Sequence, residues 1–80
     1  MIRTRVKLFA SLRRYFPGLG IGEAMEVELP DGATVREMLR HLRLPPDQVK
    51  VVFVNGIAST EERVLSDGDE LGIFPPVGGG

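Results

Sequence analysis

Only one stretch of this chain carries the apolar period of a helix, and the segments on either side of it alternate instead. Val35, Met38, Leu39 and Leu42 recur at i, i+3, i+4 and i+7, which puts them on one face. Thr34 stands just before them and Glu37 three residues later, so the Thr34 hydroxyl can cap the helix while Glu37 bonds back to the Thr34 amide. Leu44 precedes Pro45-Pro46, and a residue before proline avoids helical geometry, so the spacing predicts a helix that ends there. A single helix covers one face of one sheet, which predicts the α+β class. The 80 residues make one domain. A chain this short buries only about 60–65% of its unfolded surface, so it depends on one small, well-filled core.

The strands follow from period-two patterns. In the first segment Ile2, Thr4, Val6 and Leu8 face one way, and Arg3, Arg5, Lys7 and Phe9 the other. Ser11–Phe16 forms a short helix or turn that Pro17-Gly18-Leu19-Gly20 breaks. Met25, Val27 and Leu29 point inward from a second strand over 24–29, closed by Pro30-Asp31-Gly32. Val49–Val54 reads as a central strand, followed by a tight Asn55-Gly56 turn. A short edge strand is allowed near Ile57-Ala58. Ser66-Asp67-Gly68-Asp69 makes another turn, and Glu70–Phe74 is the last strand, stopped where Pro75 removes a backbone donor. The order is ββαββ, with the first and last strands adjacent, parallel and central. The expected core is Val6, Leu8, Val27, Leu29, Val35, Met38, Leu39, Leu42, Val52, Val54 and Ile73.

Several classes of function are disfavoured. The chain has no cysteine, so disulfides, thiol catalysis and Cys-ligated metal are excluded. No apolar run approaches the ~18 residues of a membrane span. The N-terminus interleaves charge with apolar residues where a signal peptide needs an unbroken apolar stretch, so a cytoplasmic location is expected. Net charge is −1, unevenly placed. Residues 1–22 carry Arg3, Arg5, Lys7, Arg13 and Arg14 and no acid, and residues 23–31 carry Glu23, Glu26, Glu28 and Asp31 and no base. This fits basic side chains opposite acidic ones on neighbouring strands, or a docking surface with separate patches. No basic, aromatic-interleaved stretch points to nucleic acid. His41 lies off the apolar helix face without a second ligand nearby, Arg36, Arg40 and Arg43 form a solvated stripe, and Asp67, Asp69 and Glu70 lack calcium-loop spacing. No nucleophile–base pair, phosphate loop or metal cluster is present, so intrinsic catalysis and a bound cofactor are not expected.

The chemistry is concentrated in the last residues, Phe74-Pro75-Pro76-Val77-Gly78-Gly79-Gly80. A glycine run packs nothing and loses the most backbone entropy on ordering, so it has little use as structure. Residues 1–76 read as the folded domain and residues 77–80 as a flexible tail with a carboxylate at its tip. Pro75 and Pro76 stiffen the base of this arm, Val77 and Gly78 extend it, and Gly79 and Gly80 pass where no Cβ fits. Val77–Gly80 spans at most ~13–14 Å when extended, enough to reach a buried site while the body stays outside. Phe9 and Phe74-Pro75 at the root of the arm form either an anchor for a partner or a satellite of the core.

Asn55-Gly56, Leu65-Ser66-Asp67-Gly68-Asp69-Glu70-Leu71 and Phe74-Pro75-Pro76-Val77-x-Gly-Gly together resemble the ubiquitin-like sulfur carriers, of the molybdopterin synthase small subunit and thiamine sulfur carrier type. The pattern looks most like the former, and the resemblance covers essentially the whole chain. It implies a β-grasp fold, a mixed sheet packed on one main helix. It implies a terminal Gly79-Gly80 that is adenylated with ATP by an E1-like activating enzyme, then converted to a thiocarboxylate by a sulfur donor. It also implies an acceptor enzyme such as a molybdopterin synthase large subunit, the chain itself being a co-substrate. Gly78 is a departure, since the family often has another small residue there. Sulfur delivery for thiamine thiazole, tRNA thiolation or cysteine synthesis, conjugation of Gly80 to other proteins, and an inert interaction module remain as alternatives.

Overall fold

Strict alternation carries the first strand: β1 (Ile2–Leu8) buries every second residue along its whole length. The structure, a computed structural model, describes residues 1–76. After β1 come a 3-10 turn over Ala10–Tyr15, β2 (Ala24–Leu29), α1 (Val35–His41), a 3-10 turn over Pro46–Gln48, β3 (Val51–Val54), β4 (Ile57–Ser59) and β5 (Glu70–Phe74). The sheet runs β2-β1-β5-β3-β4. β1 and β5 are parallel, with Val6 opposite Leu71, and the other pairs are antiparallel. The α+β, β-grasp expectation holds, with the first and last strands side by side at the centre. The edge strand that the sequence only allows near Ile57 is present and makes the order ββαβββ. The strand expected from Val49 begins at Val51, because Pro46–Gln48 forms a 3-10 turn with the Val49 amide bonded to the Pro46 carbonyl at 3.3 Å.

All expected core residues except Leu42 are buried, and Leu42 packs half-buried against them. Ile2, Leu12, Ala33, Leu44, Leu65 and Leu71 complete the cluster. Thr4, on the buried face of β1, donates its hydroxyl to the Val27 carbonyl at 3.0 Å, and among the described residues no buried side-chain nitrogen or oxygen lacks a partner.

The start of α1 is fully accounted for. The Thr34 oxygen accepts from the Glu37 amide, and the Glu37 carboxylate accepts from the Thr34 amide. The Val35 and Arg36 amides donate to the carbonyls of Arg63 and Glu61, both at 2.9 Å, in the segment after β4. The Arg36 side chain fastens the same segment through Glu61 and Glu62, at 2.9 and 2.8 Å. Those two acids hold the guanidinium above its ordinary pKa, the Glu61 hydrogen bond first. Arg36 is therefore a strap and not part of an idle basic stripe.

The helix ends sooner than the Pro45-Pro46 pair requires. Arg43 adopts φ +58°, its amide bonds the Arg40 carbonyl at 3.0 Å, and the Leu44 amide bonds the Leu39 carbonyl at 3.2 Å. This is a Schellman stop with arginine where glycine is usual. It turns Leu44 into the core before proline is reached.

Candidate functional site

The side of the sheet away from α1 carries an aromatic cluster. Period-two alternation sets Phe9 just past β1, Phe53 on β3, and Gly72 and Phe74 on β5 on this side, because their neighbours Leu8, Val52, Val54, Leu71 and Ile73 are buried on the other. The Phe9 and Phe74 rings stack in parallel, with centroids 4.2 Å apart and planes 2° apart. Phe53 meets Phe74 edge-on, with centroids 5.5 Å apart and planes at 80°. The edge-on contact suits the ring quadrupole. All three rings are half-buried and stand outside the core cluster, so the cluster is a surface feature.

Gly72 makes room for the stack. A Cβ there would lie 3.2 Å from Phe9 Cε2, tight enough that this ring would have to shift slightly, and 3.6 Å from Phe74 Cε1, an ordinary contact. Ala10, with φ +54°, reverses the chain immediately after Phe9. The Phe9 amide still donates to the Ile73 carbonyl at 3.1 Å, which holds the residue in line with β5.

The Asp67-Gly68-Asp69-Glu70 segment sets the register that brings the rings together. Asp67 Oδ1 accepts from the Arg3 amide at 2.8 Å, and the Gly68 amide, at φ +88°, donates to the Arg3 carbonyl at 2.7 Å. The Asp69 carbonyl accepts from the Arg5 amide at 2.9 Å. The buried Asp69 carboxylate accepts from Asn55 Nδ2 at 2.9 Å and from the Ser66 amide at 2.7 Å. Asn55 Oδ1 in turn accepts from the Glu70 amide at 3.0 Å. Asn55 and Gly56, at φ +51° and +82°, form the two-residue β3–β4 turn. A slip of one residue between β1 and β5 would move Phe74 to the opposite face. The acids that read as turn residues therefore position the aromatic face.

The face forms a groove of about 460 Å³ lined by Arg5, Lys7, Phe9, Phe53, Gly72 and Phe74 among others. Its charge is partly compensated. Arg3 pairs with Glu28 on β2 at 3.3 Å, and Arg5 stands in register between Glu26 and Glu70. The complementary-strand reading of the charge pattern accounts for these two residues. A second, more open hollow of about 720 Å³ lies by the β2 edge, against Phe16, Met25 and Leu42.

Of the residues singled out in the sequence, Phe9 and Phe74 are brought together and Pro75 lies half-buried beside them, with Pro76 exposed. Val77, Gly78, Gly79 and Gly80 lie outside the described residues. Phe53 and Gly72 were not singled out. Their signal was available, since each stands between two core residues one position away. Among the described residues no group of three or more His, Cys, Asp or Glu side chains is placed to hold a metal ion, and no helix is long and apolar enough to cross a membrane.

No curated protein sequence matches the chain significantly. Solved structures do. Molybdopterin converting factor subunit 1 of Pyrococcus furiosus is 28% identical, with a TM-score of 0.78 over 96% of this chain and 100% of that one. A crystal structure of small archaeal modifier protein 1 of Haloferax volcanii is 27% identical, with a TM-score of 0.77 over 96% and 100% of the two chains. A complex of subunits 1 and 2 of the molybdopterin-converting factor of Helicobacter pylori shares the fold at 19% identity, with a TM-score of 0.64 over 99% and 100%. A model of the ThiS family matches residues 6–80, so the chain belongs to the ThiS family.

Proposed function

We propose that this protein is a sulfur carrier whose Gly80 carboxylate is activated and thiolated, and that it delivers this sulfur in molybdopterin synthesis. A carboxylate oxygen of Gly80 attacks the α-phosphorus of ATP on an activating enzyme, forming an acyl-adenylate and releasing pyrophosphate. A sulfide-level donor then attacks the carbonyl carbon and AMP leaves, which yields a terminal thiocarboxylate. The enzyme must enclose that carbon to exclude water, and a side-chain-free Gly79-Gly80 suits a narrow channel. The observation that carries the reading is the aromatic face: the strand that bears Phe74 is the one whose sequence runs through Pro75-Pro76 into the glycines. Docking and delivery then share one rigid root.

The family and the likeness to a molybdopterin converting factor subunit 1 support the choice of acceptor. By analogy with the Helicobacter pylori complex, the acceptor is a larger second subunit. The likeness to a protein named as a modifier favours a second reading, in which a lysine amine of another protein attacks the same adenylate and AMP leaves.

Intact mass separates these. Incubated with ATP, a sulfur donor and the activating enzyme of its own organism, the chain should gain the mass difference between sulfur and oxygen. Addition to other proteins without that gain would favour the modifier. An unchanged mass with a competent enzyme would overturn both. Deleting Gly80 retracts the carbonyl by ~3.5 Å. Misplacement by 1 Å already costs about 100-fold, so the shortened chain should be nearly inert yet folded.

A further inference from the structure

Three cations project from β1 onto the aromatic side of the sheet, and one of them has no acid opposite it on either neighbouring strand, Glu70 in the same groove standing opposite Arg5. Arg3 bonds Glu28, and Arg5 lies between Glu26 and Glu70. Lys7 lies between Ala24 on β2 and Gly72 on β5, two residues too small and apolar to offset its charge. It lines the groove beside Phe9, Phe53 and Phe74. Among the described residues no ion pair involves Lys7. The same end of the molecule continues into Arg13 and Arg14, whose 3-10 turn has no acid in its first turn. Lys50 is at this end too, its amide bonded to the Phe74 carbonyl at 2.8 Å.

A cation standing unpaired against an apolar floor keeps its stem on that floor and its head in water. A partner that covered the rings without offering an anion would bury this charge unpaired, at considerable cost. We propose that the protein docking on the Phe9–Phe74 face presents a carboxylate to Lys7, beside an apolar seat for the stacked rings. This rests on the docking reading above and adds the partner's chemistry to it. A protein surface is favoured over a small anion because the floor is made of aromatic rings and glycine, surface that an inorganic anion leaves uncovered. Lys7 is then a specificity determinant: a related enzyme with a basic rim in that position is rejected by like charge.

The test uses the full chain and the purified activating enzyme of the same organism, with binding measured across a salt series and thiolation by intact mass. Lys7→Glu should weaken binding about tenfold or more, with part of the salt dependence lost. Lys7→Gln should fall between Lys7→Glu and wild type, and Lys7→Arg should restore binding by keeping the charge. All three should unfold at the wild-type midpoint. Wild-type affinity in Lys7→Glu, alongside weakened binding in Phe9→Ala, would overturn the Lys7 pairing and leave the docking face standing. Equal affinity in every variant, Phe9→Ala included, with normal thiolation of Gly80, would remove the face while keeping the carrier. Displacement of the wild-type complex by millimolar pyrophosphate, with Lys7→Gln unaffected, would make the site an anion site and also overturn the proposal.

Discussion

Gly72 lets the Phe9 ring lie close against a central strand. A Cβ there would crowd Phe9 at 3.2 Å and only touch Phe74 at 3.6 Å. The open face of β1 was legible, because period two sorts Phe9 with Arg3, Arg5 and Lys7. The grouping of Phe9 with Phe74 at the root of the arm was legible too, but the parallel stacking of the two rings was not. It depends on the register of two strands from opposite ends of the chain, fixed by hydrogen bonds from Asp67, Gly68 and Asp69 to β1. Nothing local in the sequence encodes that pairing. At this scale the expectation concerns Phe74→Ala, which should weaken binding to the activating enzyme by about 2 kcal/mol, the scale of a buried aromatic anchor. Because the ring stands outside the core, the urea midpoint should fall by less. A loss of stability equal to the loss of binding would assign Phe74 to the fold.

α1 differs at its two ends in how much the sequence reveals. Its start is written in adjacent residues, Thr34 and Glu37, and the structure has both halves of the cap. Its end is set by Arg43 in a left-handed conformation, which no local preference of arginine foretells. The visible Pro45-Pro46 signal lies beyond the true stop. The hold of the segment after β4 on the helix start was equally hidden, since it rests on the Glu61 and Arg63 carbonyls as well as on the Glu61 and Glu62 side chains that pair with Arg36. The two ends should respond to substitution with opposite sign. Thr34→Ala removes one of two reciprocal bonds and should cost about 1 kcal/mol. Arg43→Gly relieves a strain of about 1–2 kcal/mol, partly offset by glycine's greater freedom when unfolded, about 0.5–1 kcal/mol. A modest net gain should appear in chemical denaturation, and a loss would mean that the Arg43 side chain contributes contacts that outweigh the strain.

For the molecule as a whole, the key placement is β5 between β1 and β3. The first strand of the chain waits for the last, so many native contacts join distant residues, an arrangement that slows folding. The apolar character of both segments made the central pairing legible before any coordinates. Removing Glu70–Gly80 should leave the edges of β1 and β3 open and take Leu71 and Ile73 out of the core. That shortened chain should show the circular dichroism and narrow proton dispersion of an unfolded polypeptide, and a native-like spectrum would mean that the four remaining strands form a sheet of their own.

The insertion of β5 also bears on events during translation. A ribosome releases Phe9 long before Phe74, so a nascent chain displays one ring without its mate and still lacks the glycines that follow. On the proposed function, the docking face is completed and the glycines are added within the same few residues of synthesis. On the proposed docking, a chain that stops before Phe74 offers neither the stacked face nor the glycines that follow it.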